Sequence, residues 1–411
     1  MIDLVHLKEN YTEAPLPLPS EESILIDASG AILLPAGTDP HVHFRTPGQT
    51  YKEDWRSGAL ASFSGGITRV FDMPNNLPPI VTQQALAEKQ KEIRSTLGDL
   101  PLKFGLYFGA SKDHLDEIHK VHSDIIGIKV FMGSSTGTLL LDDDAALEKV
   151  FQIASEYDLL VAVHAEDEAR IEERKKRYQT LSPHSHSLVR DPVAAEIAVI
   201  KACDLAIKYQ VRLYLLHIST QKELRAIEEA KKMSDQVFAE ACPHHLFFND
   251  EAYNLLGQKI LVNPPIRSEI DRQYLIHSLK TGLIDTVGSD HAPHLLGEKE
   301  GQRPPCGVPG TESIFPILWH LHEQEGLSIE RIVSLTSKAQ ERIFRLPKTS
   351  DYLLLHTENT LPFRSPSKCG WSPYEGRIFS AAPLILILQD RIMPLSPEGA
   401  SRRKDPSYED A

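Results

Sequence analysis

The chain has 411 residues, a net charge of −13 and an apolar fraction of 41%, enough for one large domain or two ordinary ones with a sizeable core. The acidic balance excludes a polybasic nucleic-acid binder or membrane-surface protein, and no apolar run approaches the roughly 18 residues that a spanning helix needs. The N-terminal MIDLVHLKENYTEAP lacks the apolar centre of a secretion signal. Cys203, Cys242, Cys306 and Cys369 are too dispersed for a disulfide framework, so a cytoplasmic protein with reduced thiols is expected.

In chain order, residues 1–36 contain a short β-like piece, ESILIDA, and comparable pieces, YLLLHT and PLILILQ, recur within 346–395. The two ends are predicted to build a small β domain, reduced because only 36 residues precede the first motif. Between them one pattern repeats: an apolar run ends in a polar cluster and a helical stretch follows. The predicted strands are AILLPAGTDPHVHF, ITRVFDMPNN, KFGLYFGAS, IIGIKVFMGSS, LLVAVHAED, RLYLLHIST, VFAEACPHH and IDTVGSDHAP. Helical stretches include TQQALAEKQKEIRSTL, DAALEKVFQIASEY, DPVAAEIAVIKACDLAIKY and QKELRAIEEAKKM. Alternation of strand and helix implies a parallel sheet, and eight such units imply an α/β chain forming a (β/α)₈ TIM barrel over 37–345, with its site at the C-terminal ends of the strands. The closing residues, 396–411, read as a polar tail.

Those strand ends carry the chemistry. Asp39, His41, His43 and Arg45 fall on alternate positions, which share a face on a strand. Buried imidazole and guanidinium groups are costly without partners. Lys129 lies in the fourth strand, His164 ends the fifth, His217 the sixth and Asp290 the eighth. Four imidazoles, a carboxylate and a lysine thus converge on one barrel mouth. Imidazole nitrogen with carboxylate oxygen suits zinc or a similar divalent ion, and two ions a few Å apart would use about this many ligands and activate a bridging water. A protonated lysine cannot ligate a cation; carboxylation of Lys129 by carbon dioxide would reverse its charge and let it bridge. A lone histidine is more often a hydrogen-bonded core residue, and the case rests on agreement across strands. His184 and His186, in SPHSHS, read as surface loop residues; His114, His119 and His122 read as a solvated helix face; His244 and His245 read as supports of the mouth.

DPHVHFR, KVFM, VHAED, LLHIS and GSDHAPH together resemble the amidohydrolase superfamily and, more narrowly, the dihydroorotases. The resemblance runs from about 31 to 345, with an echo in KCGWSPYEG. It implies reversible closure of N-carbamoyl-L-aspartate to L-dihydroorotate in pyrimidine synthesis. It implies two Zn²⁺ held by His41, His43, Lys129, His164, His217 and Asp290, bridged by carboxylated Lys129 and hydroxide, with Asp290 as general base and then acid. Asp142 to Asp144 are the nearest competitors for the bridging role. Arg45, Asn75, Asn263, Arg267 and His294 would hold the substrate, with Cys306 and Gly307 adding backbone contacts. A guanidinium grips a carboxylate in a fork, and carboxamides offer both donor and acceptor. The loop GSSTGT, 133–138, could close over substrate. The chain departs from the pattern at Thr46, where many relatives have glutamate, and in TSKAQERIF. Expected partners are a small-molecule substrate and further copies of the chain, with aspartate transcarbamoylase a candidate. The alternatives are a hydantoinase- or allantoinase-like enzyme, or an inactive partner of aspartate transcarbamoylase; the intact ligand set speaks against the latter, and Arg45 with Asn75 against the former.

Overall fold

Strand periodicity sorts the side chains of the eight apolar runs into two sets, one facing helices and one facing inward. In the computed structural model, which describes residues 2–12, 24–134, 139–178, 182–389 and 391–404, the runs form β1 (Gly37–Val42), β2 (Ile67–Asp72), β3 (Lys103–Gly109), β4 (Gly127–Phe131), β5 (Val161–His164), β6 (Leu213–Leu215), β7 (Val237–Ala241) and β8 (Thr286–Val287). They pair in parallel and in sequence order. The barrel closes where the Val42 and His291 segments meet in a parallel bridge and the His43 amide donates to the His291 carbonyl at 2.8 Å.

Ile128, Val130, Val161, Val163, Leu213, Leu215, Val237 and Ala239 pack outward in the core shared with the helices. Their alternates Ala162, Tyr214 and Phe238 join Phe71 and Tyr107 inside, around Phe344, whose ring centroid lies 4.8 Å from that of Phe71 and 5.1 Å from that of Tyr214. This apolar floor excludes water from beneath the site. Two residues further along the same inward rows stand His164 on β5 and Glu240 on β7. The crossover helices Gln83–Leu97, Asp144–Glu156, Pro192–Tyr209 and Gln221–Met233 each start on a side-chain cap, from Thr82, Asp143, Asp191 and Thr220, which satisfies an amide the helix cannot. Among the described residues no helix is long and apolar enough to cross a membrane.

The first predicted strand is two strands. The run breaks after Pro35: Ala31–Pro35 pairs with Tyr352–His356 and with Glu9–Asn10 in a five-stranded sheet completed by Ala382–Ile387 and Ile392–Pro394. AILLP therefore belongs to a sheet built from both ends of the chain, and only GTDPHV enters the barrel. A three-stranded sheet joins Ile2–Val5, Ile24–Asp27 and Arg403–Lys404. Pro397–Ser401 is helical, so within the stretch read as a polar tail residues 397–404 take part in the fold.

Candidate active site

At the C-terminal end of the barrel, five strand ends deliver their side chains to one buried cluster. His41 Nε2 and His43 Nε2 lie 3.2 and 3.1 Å from the same oxygen, Oδ1 of Asp290. Beside them, His164 Nδ1 and His217 Nε2 approach to 2.9 Å, and the His41 and His217 rings are 5.4 Å apart. Lys129 is 1% exposed, and its Nζ finds no hydrogen-bond partner among the described residues; it stands 4.5 Å from the centre of the Phe131 ring. Burial pushes this amine down to about 7, because a buried ammonium loses its hydration. Asp290 is opposed: burial would raise its carboxyl, but His41, His43 and His217 hold it well below the usual range.

The outer nitrogens of His41, His43 and His164 face fixed groups, while that of His217, Nδ1, has no hydrogen-bond partner among the described residues. His41 Nδ1 hydrogen-bonds Glu240 Oε1 at 2.8 Å, and Glu240 also accepts from the Tyr214 hydroxyl at 2.8 Å and the His217 amide at 3.1 Å. Gly288 makes room for this carboxylate, since a Cβ there would fall 2.3 Å from Glu240 Oε2. His43 Nδ1 bonds Asn75 Oδ1 at 2.7 Å, and His164 Nε2 lies 3.0 Å from Glu166 Oε2, which Arg190 also contacts. Fixing one ring nitrogen aims the other. The aim is supported by backbone strain: Arg45, His217 and Asp290 all sit at positive φ, 56°, 41° and 48°, which side chains with a Cβ adopt only where the surroundings enforce it.

Next to this cluster is a narrow recess lined by His43, Arg45, Asn75, Asn263, Asp290, Ala292, Cys306 and Gly307. The structure thus brings Arg45, Asn75 and Asn263 together with Cys306 and Gly307. Arg45 arrives there by a left-handed turn and not by strand alternation, because β1 ends at Val42. Its Nε donates to the Pro293 carbonyl at 3.0 Å and its Nη2 lies 3.0 Å from His294 Nε2. Asn263 Oδ1 is buried without a hydrogen-bond partner among the described residues.

Other residues fall elsewhere. Arg267 does not reach the recess; its guanidinium holds Ser219 Oγ at 3.2 Å and the Arg190 carbonyl. Asp142 and Asp144 are exposed, and Asp143 caps the helix that follows, so none competes for the bridging position. His184 and His186 are on a helix, Pro183–Val189, and His186 is half-buried with its Nε2 2.9 Å from the Val262 carbonyl. His119 is half-buried against the Tyr157 hydroxyl at 3.1 Å. His245 Nε2 bonds the Pro264 carbonyl at 3.0 Å, on a short helix, Pro243–Phe247. Cys242 groups at metal-ligand spacing both with His244 and His245 and with His41 and Glu240. Of the GSSTGT loop, 135–138 lie outside the described residues.

Sequence reading missed Glu240 and Glu166. The usable signal was a carboxylate at an inward position of an apolar strand, as in VFAEA. It also missed Lys89, which reaches from the helix Gln83–Leu97 to pair with Asp72 and bonds Asn76 Oδ1 at 2.7 Å and the Met73 carbonyl at 3.2 Å. Asp72 in turn accepts from the Phe44 amide at 2.7 Å, so one buried ion pair ties HVHFR to DMPNN. Lys89→Met leaves Asp72 as an uncompensated buried charge; about 3–5 kcal/mol of unfolding free energy is expected to be lost, measured as a lower urea midpoint.

Eight parallel strands closing into a barrel, with a histidine–aspartate cluster at their C-terminal ends, place the site where (β/α)₈ enzymes carry theirs. The model of the amidohydrolase family matches residues 32–350. The chain is 33% identical to a dihydroorotase of Methanosarcina acetivorans over 380 residues, 87% of this chain and 80% of that one. It is 31% identical to a dihydroorotase of Thermus aquaticus, with 91% of each covered. A segment of the multifunctional protein CAD of Squalus acanthias is 32% identical over 84% of this chain and 14% of that protein. Among solved structures, the L-hydantoinase (dihydropyrimidinase) of Arthrobacter aurescens superposes with a TM-score of 0.85 at 25% identity, covering 91% of this chain and 87% of that one. The chain belongs to the amidohydrolase family and, within it, to the dihydroorotases.

Proposed function

We propose that this chain interconverts N-carbamoyl-L-aspartate and L-dihydroorotate with the help of two divalent metal ions. The observation that carries the reading is the pairing of two things at one barrel mouth: a histidine–aspartate cluster around a buried lysine with no hydrogen-bond partner among the described residues, and a recess holding Arg45 directly beside it. The donor set fits zinc. His41, His43 and Asp290 would hold one ion, His164 Nδ1 and His217 Nε2 the other, and Lys129 would bridge them as its carbamate. An amine pushed down to about 7 by burial is largely free base just above neutrality, the form that adds carbon dioxide. When bound, the ions supply a water of lowered pKa and polarise the ring amide.

The rest of the work belongs to side chains. Arg45, with Asn75 and Asn263, holds the substrate carboxylate in the recess and so presents one face of the ring to Asp290. Asp290, kept anionic, takes the proton of the attacking water and delivers it to the ring nitrogen as the C–N bond breaks; ring closure runs the same transfers backward. Glu240, Glu166 and the Asn75 oxygen keep the imidazoles aimed.

A carboxylate-gripping arginine favours dihydroorotate over hydantoin or allantoin, which lack that group. The test is an assay of zinc-loaded protein on L-dihydroorotate, hydantoin and allantoin side by side. Turnover of allantoin or hydantoin without dihydroorotate would overturn the reading. Arg45→Met should raise the KM for L-dihydroorotate by about 10- to 100-fold, the worth of a charge-assisted hydrogen bond, and an unchanged KM would remove Arg45 from substrate binding.

A further inference from the structure

The turn that follows β7 gathers three ligand-type side chains that the proposed reaction leaves unused. Cys242 has an extended backbone, φ −104° and ψ 146°, and Pro243 starts the helix Pro243–Phe247. The Cys242 carbonyl accepts from the His245 amide at 3.0 Å and from the Leu246 amide at 3.2 Å, so cysteine and histidines share one tight turn. The His244 and His245 rings lie 4.4 Å apart, centre to centre. One ligand atom from each of Cys242, His244 and His245 falls within 4.8 Å of the other two, and all three residues are buried.

Two of these groups lack a partner. His245 Nε2 donates to the Pro264 carbonyl at 3.0 Å, so on a neutral ring Nδ1 keeps its lone pair. Among the described residues nothing hydrogen-bonds that Nδ1 or His244 Nε2, although the two residues are only 2% and 1% exposed. Burial keeps both rings neutral: it pushes His245 down to about 4 and His244 well below the ordinary imidazole range. Buried polar atoms left open in this way call for a bound water or ion. Cys242 decides between them. A thiol is a weak hydrogen-bond partner for water, and its thiolate is a strong ligand for zinc-like cations. Glu240 and His41 also lie at ligand spacing from Cys242, but they are engaged: Glu240 Oε1 holds His41 and the His217 amide, and Oε2 holds Tyr214.

We infer that Cys242, His244 and His245 form a further metal site, separate from the residues proposed for the catalytic pair, which takes one zinc-class divalent cation. Neutral imidazoles bind without losing a proton, and the thiol gives its proton to solvent as the sulfur–metal bond forms. Tetrahedral zinc sets its nitrogen and sulfur ligands about 3.3 to 3.6 Å apart, a spacing the three side chains reach by small rotations. Three protein ligands leave the fourth position to water. All three come from four consecutive residues on a turn already pinned at Pro264, so little ordering is needed on binding. The ion would clamp the end of β7, two residues beyond the Glu240 that aims His41.

The test uses the full chain, stripped of metal and reloaded with cobalt or zinc. None of the residues proposed for the catalytic pair is a cysteine, so a thiolate-to-cobalt charge-transfer band assigns a cysteine ligand, and variants say which. Wild type and Cys306→Ala should show the band, and Cys242→Ala should lose it. Elemental analysis should find about one zinc ion per chain fewer in Cys242→Ala and in His244→Gln than in wild type, with the circular dichroism unchanged. That difference is the same whether or not Lys129 bridges two other ions, so the result does not depend on the proposed reaction. A wild-type spectrum without the band, a band lost in Cys306→Ala, or equal zinc content in wild type and Cys242→Ala would overturn the site. Should Cys242→Ala not fold, the spectra of wild type and Cys306→Ala decide.

Discussion

Asp290→Asn is expected to lower turnover of L-dihydroorotate by about 10²- to 10⁴-fold, the range attributed to a positioned proton-transfer group, with the chain still folded. The two side chains have the same shape, so the His41 and His43 contacts at 3.2 and 3.1 Å can be remade by the amide oxygen. What the amide lacks is basicity. A carboxylate held anionic by three surrounding imidazoles is still a competent base; a carboxamide is not, and it cannot return a proton to the ring nitrogen. Some loss of stability is expected, because the surrounding imidazoles favour the carboxylate over a neutral group in spite of its burial. Steady-state assay and thermal denaturation followed by circular dichroism check the two halves. Residual kcat within tenfold of wild type would take the proton transfer away from Asp290.

How much of this arrangement was legible in the sequence depends on where each residue sits relative to a regular strand. Lys129 and His164 lie inside β4 and β5, where side chains alternate with period two, and the inward rows can be read directly from GIKVF and VAVH. Arg45, His217 and Asp290 come after their strands have ended, at positive φ, and alternation no longer says where they point. Arg45 was placed on the inner face for a reason that does not hold; the left-handed turn brings it to the recess regardless. The AILLPAG run was misread as one strand because an apolar stretch does not record which sheet it joins, and the answer was fixed by pairing with Tyr352–His356, more than 300 residues away. The same distance hides the Lys52–His294 contact, whose partners are 242 positions apart in the chain. Arg267 is equally illegible from its motif: its Nε and Nη1 hold Ser219 Oγ and the Arg190 carbonyl, partners distant in the chain, while its buried Nη2 has no hydrogen-bond partner among the described residues.

Lys129→Ala is the substitution expected to do the most damage, because one side chain would serve both ions. Removing it takes away the bridging side chain proposed between the His41–His43–Asp290 set and the His164–His217 pair, so bound zinc should fall below the wild-type content and activity by more than about 10³-fold, comparable to losing the activated water altogether. Alanine also leaves a gap beside Phe131, and a short carboxylic acid supplied in the buffer fits it chemically: it presents the two oxygens the carbamate would have offered. Partial recovery of activity with added acetate or propionate is therefore expected for Lys129→Ala and not for Asp290→Asn, whose defect lies in proton transfer. Reconstitution of metal-free wild-type protein with zinc and bicarbonate should slow as the pH drops below about 7, where burial still leaves this amine increasingly protonated and the free base that adds carbon dioxide becomes scarce. Intact-mass measurement under non-denaturing conditions should show the added carbon dioxide in wild type and none in Lys129→Ala. Full zinc occupancy in Lys129→Ala, or reconstitution equally fast on both sides of neutrality, would mean that the lysine stays unmodified and that the two halves of the cluster do not share a bridge.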